Sequence, residues 1–142
     1  MSCCPPNSIS TSFFDNYTEK GSKSSLPNVE YYQSGSPTSS TAIVCIPDIF
    51  GWGGGRTRAW ADLLAESLGT YVVVPKLLCS PAFEGGVDGD ALPIDYDIGT
   101  RTEHVAWLKV HSWEDSIKPK VMALIDHLNS QGMTKIGLIG FW

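Results

Sequence analysis

Two glycine-bearing segments in this chain hold the residue types that chemistry at a strand end needs. The first is Pro47-Asp48-Ile49-Phe50-Gly51-Trp52-Gly53-Gly54-Gly55, directly after an apolar run. A glycine-rich turn lets backbone N–H groups converge on one point, as an oxyanion hole requires. The second is Gly140-Phe141-Trp142, the first three positions of a glycine–x–nucleophile–x–glycine elbow. That elbow is a sharp strand-to-helix turn whose glycines relieve contacts around a strained nucleophile. Each signal is weak alone, because glycines follow strands in many nucleotide-binding folds. A dinucleotide fingerprint is the main rival, and it fails in two places. Gly51, Gly53 and Gly54 lack its spacing, and the next strand ends Val74-Pro75-Lys76 with no acidic residue. No cofactor is expected.

The other reactive side chains form no convincing second site. His104 and His111 are seven positions apart, with Glu103, Glu114 and Asp115 nearby, whereas metal-binding pairs on one helix face prefer i, i+4. Trp107 and Trp113 make that stretch read as aromatic packing. His127 falls on the polar side of a helix and reads as a surface residue. Cys3 and Cys4 lack the second Cys or His pair of a tetrahedral site, so no metal is expected. Cys45 lies inside a strand and should be inert unless exposed. Cys79 follows the second buried strand without an adjacent base.

The elements that must position these residues are those of an α/β fold. Residues 1–27 read as an irregular segment, rich in Ser, Asn, Gly and Pro, and 28–142 as the folded domain. A short strand is expected at 29–33, and strands buried on both faces at 41–47 and 71–75, where β-branched runs do not alternate. Between the last two lies a helix over 57–68, whose stripe is Trp60, Leu63, Leu64 and Leu68. Strand, helix, strand in this order closes right-handed into parallel pairing. A long irregular stretch runs from 77 to about 99. A second helix covers 115–130, with the stripe Ile117, Val121, Leu124, Ile125 and Leu128, and Pro119 tolerated in its first turn. Ser112 and Asp115 are its candidate caps and Gly132 its stop. Residues 135–142 read as a third buried parallel strand. The expected sheet is mostly parallel and flanked by helices.

Bulk properties narrow the partners. The chain has 142 residues, enough for one hydrophobic core, with 42% apolar and 18% charged residues. A net charge of -5, with no dense cluster among ten Lys and Arg, repels polyanions, so nucleic acid is not an expected partner. No run reaches the roughly 18 to 20 apolar residues of a spanning helix. The first twelve residues lack the basic start and apolar centre of a signal peptide. The expectation is a soluble cytoplasmic protein with reduced thiols and no membrane partner.

Taken together, several stretches resemble the dienelactone hydrolase family, including its carboxymethylenebutenolidase-like members. They are Ile46-Pro47-Asp48-Ile49-Phe50-Gly51, Gly55-Arg56-Thr57-Arg58, Ala61-Asp62-Leu63-Leu64-Ala65 and Val72-Val73-Val74-Pro75. Trp107-Leu108-Lys109-Val110-His111-Ser112-Trp113, Lys135-Ile136-Gly137-Leu138-Ile139-Gly140-Phe141 and the opening Ser2-Cys3-Cys4-Pro5-Pro6 continue the match. The resemblance implies an α/β-hydrolase fold, of which this is the N-terminal part, and a Cys-His-Asp triad that opens lactones or related esters. It implies that Ile49 supplies a backbone N–H to the oxyanion hole. Asp48 would stand where some members have a Glu that contacts the resting thiol; without the family, Asp48 reads first as a turn cap. Arg101 is a candidate contact for a substrate carboxylate, although a solvated surface Arg is the simpler reading.

Gly140 and Phe141 match the family elbow, but Trp142 stands at the nucleophile position or just after it. No triad member is present, so the chain alone is expected to be catalytically incompetent: an indole cannot attack a carbonyl. The sequence reads as truncated at the elbow, which would leave 135–142 as an apolar edge open to self-association. A non-catalytic relative that acts by binding or edge pairing is the alternative.

Overall fold

Tyr71-Val72-Val73-Val74-Pro75 is buried along its whole length, and the sheet is organised around it. The computed structural model of the chain describes residues 17–49, 51–52, 56–78, 105 and 109–140. Its elements run β1 (Ser22–Leu26), β2 (Val29–Ser34), β3 (Thr41–Ile46), α1 (Arg56–Leu68) and β4 (Tyr71–Pro75). A π-helical turn (Trp113–Ile117) then leads into α2 (Lys118–Ser130), followed by β5 (Lys135–Gly140). The five strands form one sheet in the order β1-β2-β4-β3-β5, with β4 in the middle.

The sheet is mixed, which corrects the expectation of a mostly parallel one. β3 pairs parallel with β4 and β5, but β2 is antiparallel to both β1 and β4. β1 and β2 are joined by a two-residue turn at Pro27 and Asn28, too short for anything but a hairpin. β1 is itself a second correction, since it occupies residues expected to be irregular. Ser22-Lys23-Ser24-Ser25-Leu26 has no β-branched or aromatic residue and forms a strand because β2 offers it a ladder from Ser22 with Gln33 to Leu26 with Val29.

Helices cover both faces. On one, Ala61 and Ala65 of α1 pack with Tyr32, Cys45, Val72 and Val74. On the other, Leu124 and Leu128 of α2, with Met133, pack on Tyr31, Ala42, Val44, Tyr71 and Val73. Burial of such Leu and Val side chains stabilises by about 1.5–3 kcal/mol each. The stripe expected for α2 is the one used, Val121, Leu124 and Leu128 being buried and Ile117 and Ile125 half-buried. Pro119 sits in its first turn. Ser112 caps the preceding π-helical turn, its Oγ accepting the Asp115 N–H at 3.2 Å and donating to Asp115 Oδ2 at 2.9 Å.

The stripe expected for α1 is not the one used. Leu63 and Leu68 are 43% and 61% exposed, and Trp60 and Leu64 are only half-buried. The sheet-facing stripe is instead Arg58, Ala61, Asp62 and Ala65, with Thr57 and Ala59 also buried in the first turn. Two alanines let the helix axis approach the sheet closely, and the polar partners of Asp62 described below fix its rotation.

Candidate functional site

Chemistry in an open α/β sheet collects where crossover connections diverge, beyond the carboxyl ends of the strands. β3 is that point here: its neighbour β4 follows it through α1, and β5, on its other side, follows α2 on the opposite face. The parallel ladder sets Ile46, the last residue of β3, beside Gly140, the last of β5. The loop bearing Asp48 and Ile49 therefore leaves the sheet next to the start of the elbow sequence. Phe141 and Trp142 lie outside the described residues, as do Arg101, His104 and Cys79.

Asp48 and Ile49 are both half-buried. The Asp48 carbonyl accepts the Gly51 N–H at 3.0 Å, closing a turn over 48–51, and Gly51 adopts φ 78°. That left-handed conformation is cheap only for glycine. The Gly51 carbonyl in turn accepts from Thr57 Oγ1 at 3.5 Å, a contact at the outer limit that ties the loop to the first turn of α1.

Trp52 anchors the loop, a role the sequence reading did not assign. Its side chain is buried in the α1-side core. Cations from three elements surround the indole: Lys23 of β1 and Arg58 of α1 at 5.6 Å, and Lys76 just after β4 at 5.9 Å. Glu19 meets Arg58 at 2.7 Å and Glu30 meets Lys76 at 3.2 Å. With two of the three cations matched by carboxylates, the cluster pins the indole and is poorly suited to collecting an anion.

A second polar cluster, equally absent from the sequence reading, holds α1 in place. Asp62 is 3% exposed, yet its carboxylate accepts from the hydroxyl of Tyr17, from Tyr32 Oη at 2.9 Å and from the Lys20 N–H at 2.9 Å. Gly21 donates its N–H to Tyr32 Oη at 2.6 Å. Burial pushes the Asp62 carboxyl upward, but hydrogen bonds from Ser34, Tyr17, Lys20 and Tyr32 outweigh it and the pKa is lowered. Tyr17 and Tyr32 are both raised, first by burial and then, for Tyr17 especially, by the adjacent carboxylate. The donors lie 28 to 45 positions from Asp62 in the chain, so no local spacing betrays them.

The remaining candidates stay apart from the switch point. Cys45 is fully buried in β3 and burial pushes its thiol up to about 11, which leaves it protonated and unreactive at neutral pH. His127 is not the simple surface residue expected: it is half-buried, with Nε2 3.5 Å from Tyr31 Oη. Among the described residues no group of three or more His, Cys, Asp or Glu is arranged to hold a metal. An open groove of about 620 Å³ lies between Leu68 and Thr70 on one side and Lys135 and Gly137 on the other. It sits at the amino ends of β3 and β5, away from the switch point, beside the half-buried Ile43 and the exposed Gly137. Among the described residues no helix is long and apolar enough to cross a membrane.

No protein-family model, curated protein or solved structure matches the chain.

Proposed function

We propose that this chain carries the oxyanion side of a dienelactone-hydrolase-type α/β-hydrolase, a family that opens lactones and related carboxylic esters through a Cys-His-Asp triad. The observation that carries the reading is the register of Ile46 beside Gly140. Such a site draws on two neighbouring strand ends: a backbone N–H from the loop after the third strand, and a nucleophile from the elbow that ends a parallel strand. In this chain the loop after β3 holds Asp48 and Ile49, and β5 ends in the glycine that opens the elbow sequence. The Ile49 N–H is the candidate oxyanion donor, aimed at charge that develops on a carbonyl oxygen. Asp48 is the candidate contact for a resting thiol, and Arg101 for a substrate carboxylate. The turn over 48–51 and the Trp52 anchor would hold the donor still, which is what makes such a hole effective.

Residues 1–142 contain no thiol at the elbow, Trp142 standing at or beside that position. The polypeptide of these residues alone is therefore expected to give no turnover of esters or lactones. The test is to assay it with an aryl ester and an enol lactone, and to sequence the natural transcript through the Trp142 codon with intact mass of the natural protein. No turnover, with a frame continuing into a Cys-containing elbow and later Asp and His, supports the reading. Turnover by the 142-residue polypeptide itself would refute it. A natural protein of 15.4 kDa without turnover would favour a non-catalytic relative instead. That second reading draws on β5, whose outer side has no strand partner among the described residues.

A further inference from the structure

Residues 17–21, ahead of β1, form no helix or strand, yet polar contacts strap them onto α1. The Tyr17 hydroxyl and the Lys20 N–H both donate to the Asp62 carboxylate, the second at 2.9 Å. Gly21 donates its N–H to Tyr32 Oη at 2.6 Å, and Lys20 Nζ meets Glu66 at 2.7 Å. Thr18, Glu19 and Lys20 are exposed, and Tyr17 and Gly21 only half-buried. A segment held by polar contacts with little apolar burial belongs to the low-stability end of a fold and opens locally.

One contact of the strap reaches further. Glu19 Oε1 meets Arg58 at 2.7 Å, and the Arg58 side chain is only 10% exposed. Its guanidinium lies 5.9 Å from the Tyr32 ring and 5.6 Å from the Trp52 ring. One side chain thus joins the strap to the indole that anchors loop 48–52. We infer that residues 17–21 are a latch: they open while the sheet stays folded, and their opening loosens loop 48–52 through Arg58. This coupling holds whatever the loop binds. On the hydrolase reading it would put the Ile49 N–H under the control of the N-terminal strap.

Opening takes the Glu19 carboxylate away from a guanidinium that is almost out of water. A buried charge that loses its counter-ion is costly, so Arg58 turns toward solvent. Turning outward removes it from the Trp52 face, where it supplies a cation–π attraction and covers the ring. The hydrogen bond from Thr57 Oγ1 to the Gly51 carbonyl, at 3.5 Å, is too long to hold the loop by itself. Lys23 and Lys76 stay beside the indole, so the loop loosens and does not unfold. The helix stays too. Tyr32 and Ser34 still donate to Asp62, and Ala61 and Ala65 remain packed on the sheet.

Amide hydrogen exchange, read residue by residue on the chain, tests this at three hydrogen-bonded N–H groups: Lys20, Gly21 and Gly51. Tyr17→Phe keeps the ring and removes one donor to Asp62. All three amides should then exchange about five- to tenfold faster, the worth of one such bond. Val121→Ala, at a buried position of α2 on the far face of the sheet, lowers global stability. It should leave all three at their wild-type rates. With Arg58→Met in place, Tyr17→Phe should still speed Lys20 and Gly21 but no longer Gly51. Glu19→Gln, at an exposed position, cuts the same link without burying a new group and should speed Gly51 by itself. A Gly51 rate unmoved by Tyr17→Phe or by Glu19→Gln would overturn the inference, as would a Gly51 response that survives Arg58→Met. Equal acceleration by Val121→Ala would overturn it as well, because the strap would then open only with the whole fold.

Discussion

Asp62→Ala is the substitution whose cost can be worked most directly from the structure. The Tyr32 side chain is fully buried; its oxygen keeps the Gly21 N–H, but its proton loses its acceptor. A buried donor left unsatisfied costs about 1–3 kcal/mol. The Tyr17 hydroxyl and the Lys20 N–H are nearer solvent and can recover water, so each adds only about 0.5–1 kcal/mol. Removing a buried charge returns some desolvation energy. The balance is a loss of about 2–4 kcal/mol, a large share of the roughly 5–15 kcal/mol that holds a typical domain together. Urea unfolding followed by far-ultraviolet circular dichroism measures it, with Tyr32→Phe as the partner variant. Because Tyr32→Phe removes the donor that Asp62→Ala strands, the double variant should be less destabilised than the sum of the two by about 1 kcal/mol. The pH dependence has a definite sign. The folded-state pKa of Asp62 is lowered, so its contribution is fully present above the unfolded carboxylate value and is lost as pH falls through the folded one. The gap between wild type and Asp62→Asn should therefore narrow in strong acid. A cost for Asp62→Ala below about 1 kcal/mol, or strict additivity with Tyr32→Phe, would refute the reasoning.

Three further outcomes follow from neighbouring features. Trp52→Ala should cost about 3–5 kcal/mol in a thermal or urea melt, as expected for a large buried aromatic, and Trp52→Phe clearly less. Gly35→Ala should destabilise by about 1–3 kcal/mol or more, because Gly35 holds φ 86° and a Cβ there would run into the Thr70 carbonyl oxygen. Its melting temperature against wild type checks this. The Cys45 thiol, pushed up to about 11 by burial, should resist alkylation of the native protein near pH 8 and react once urea unfolds it, as read by peptide mass mapping.

Much of the frame was legible because its signals are local. The β-branched runs that became β3 and β4, and the helix stop at Gly69, need only a few adjacent residues to be read. β1 was not legible: a serine-rich edge strand has almost no pattern of its own and exists through its ladder to β2. The rotation of α1 was hidden for a related reason. Its leucines form the more apolar stripe, yet a buried carboxylate served by Tyr17, Lys20, Tyr32 and Ser34 turned the alanine face inward. Within the candidate site, the glycine loop and the elbow start were visible as motifs. Their adjacency was not, since it depends on β5 crossing to the far side of β3. Trp52 gave no signal either, because its cations arrive from three separate elements.

The place of β2 in the sheet has a consequence for how the chain comes off the ribosome. β2 lies beside β4 and not beside β3, the strand that follows it in sequence. Its residue 34 meets residue 72, a separation of 38. At about 5–20 residues per second, the β1–β2 hairpin emerges about 2–8 s before the strand it docks against. Throughout that interval Tyr32, buried in the finished sheet against Val72 and Val74, lacks the strand that covers it, and Tyr31 waits longer still, for Leu124 and Leu128 of α2. Stalled nascent chains that end before Tyr71 should therefore be held by a hydrophobe-binding chaperone, chains that have released β4 should be held more weakly, and chains that have released α2 should escape it.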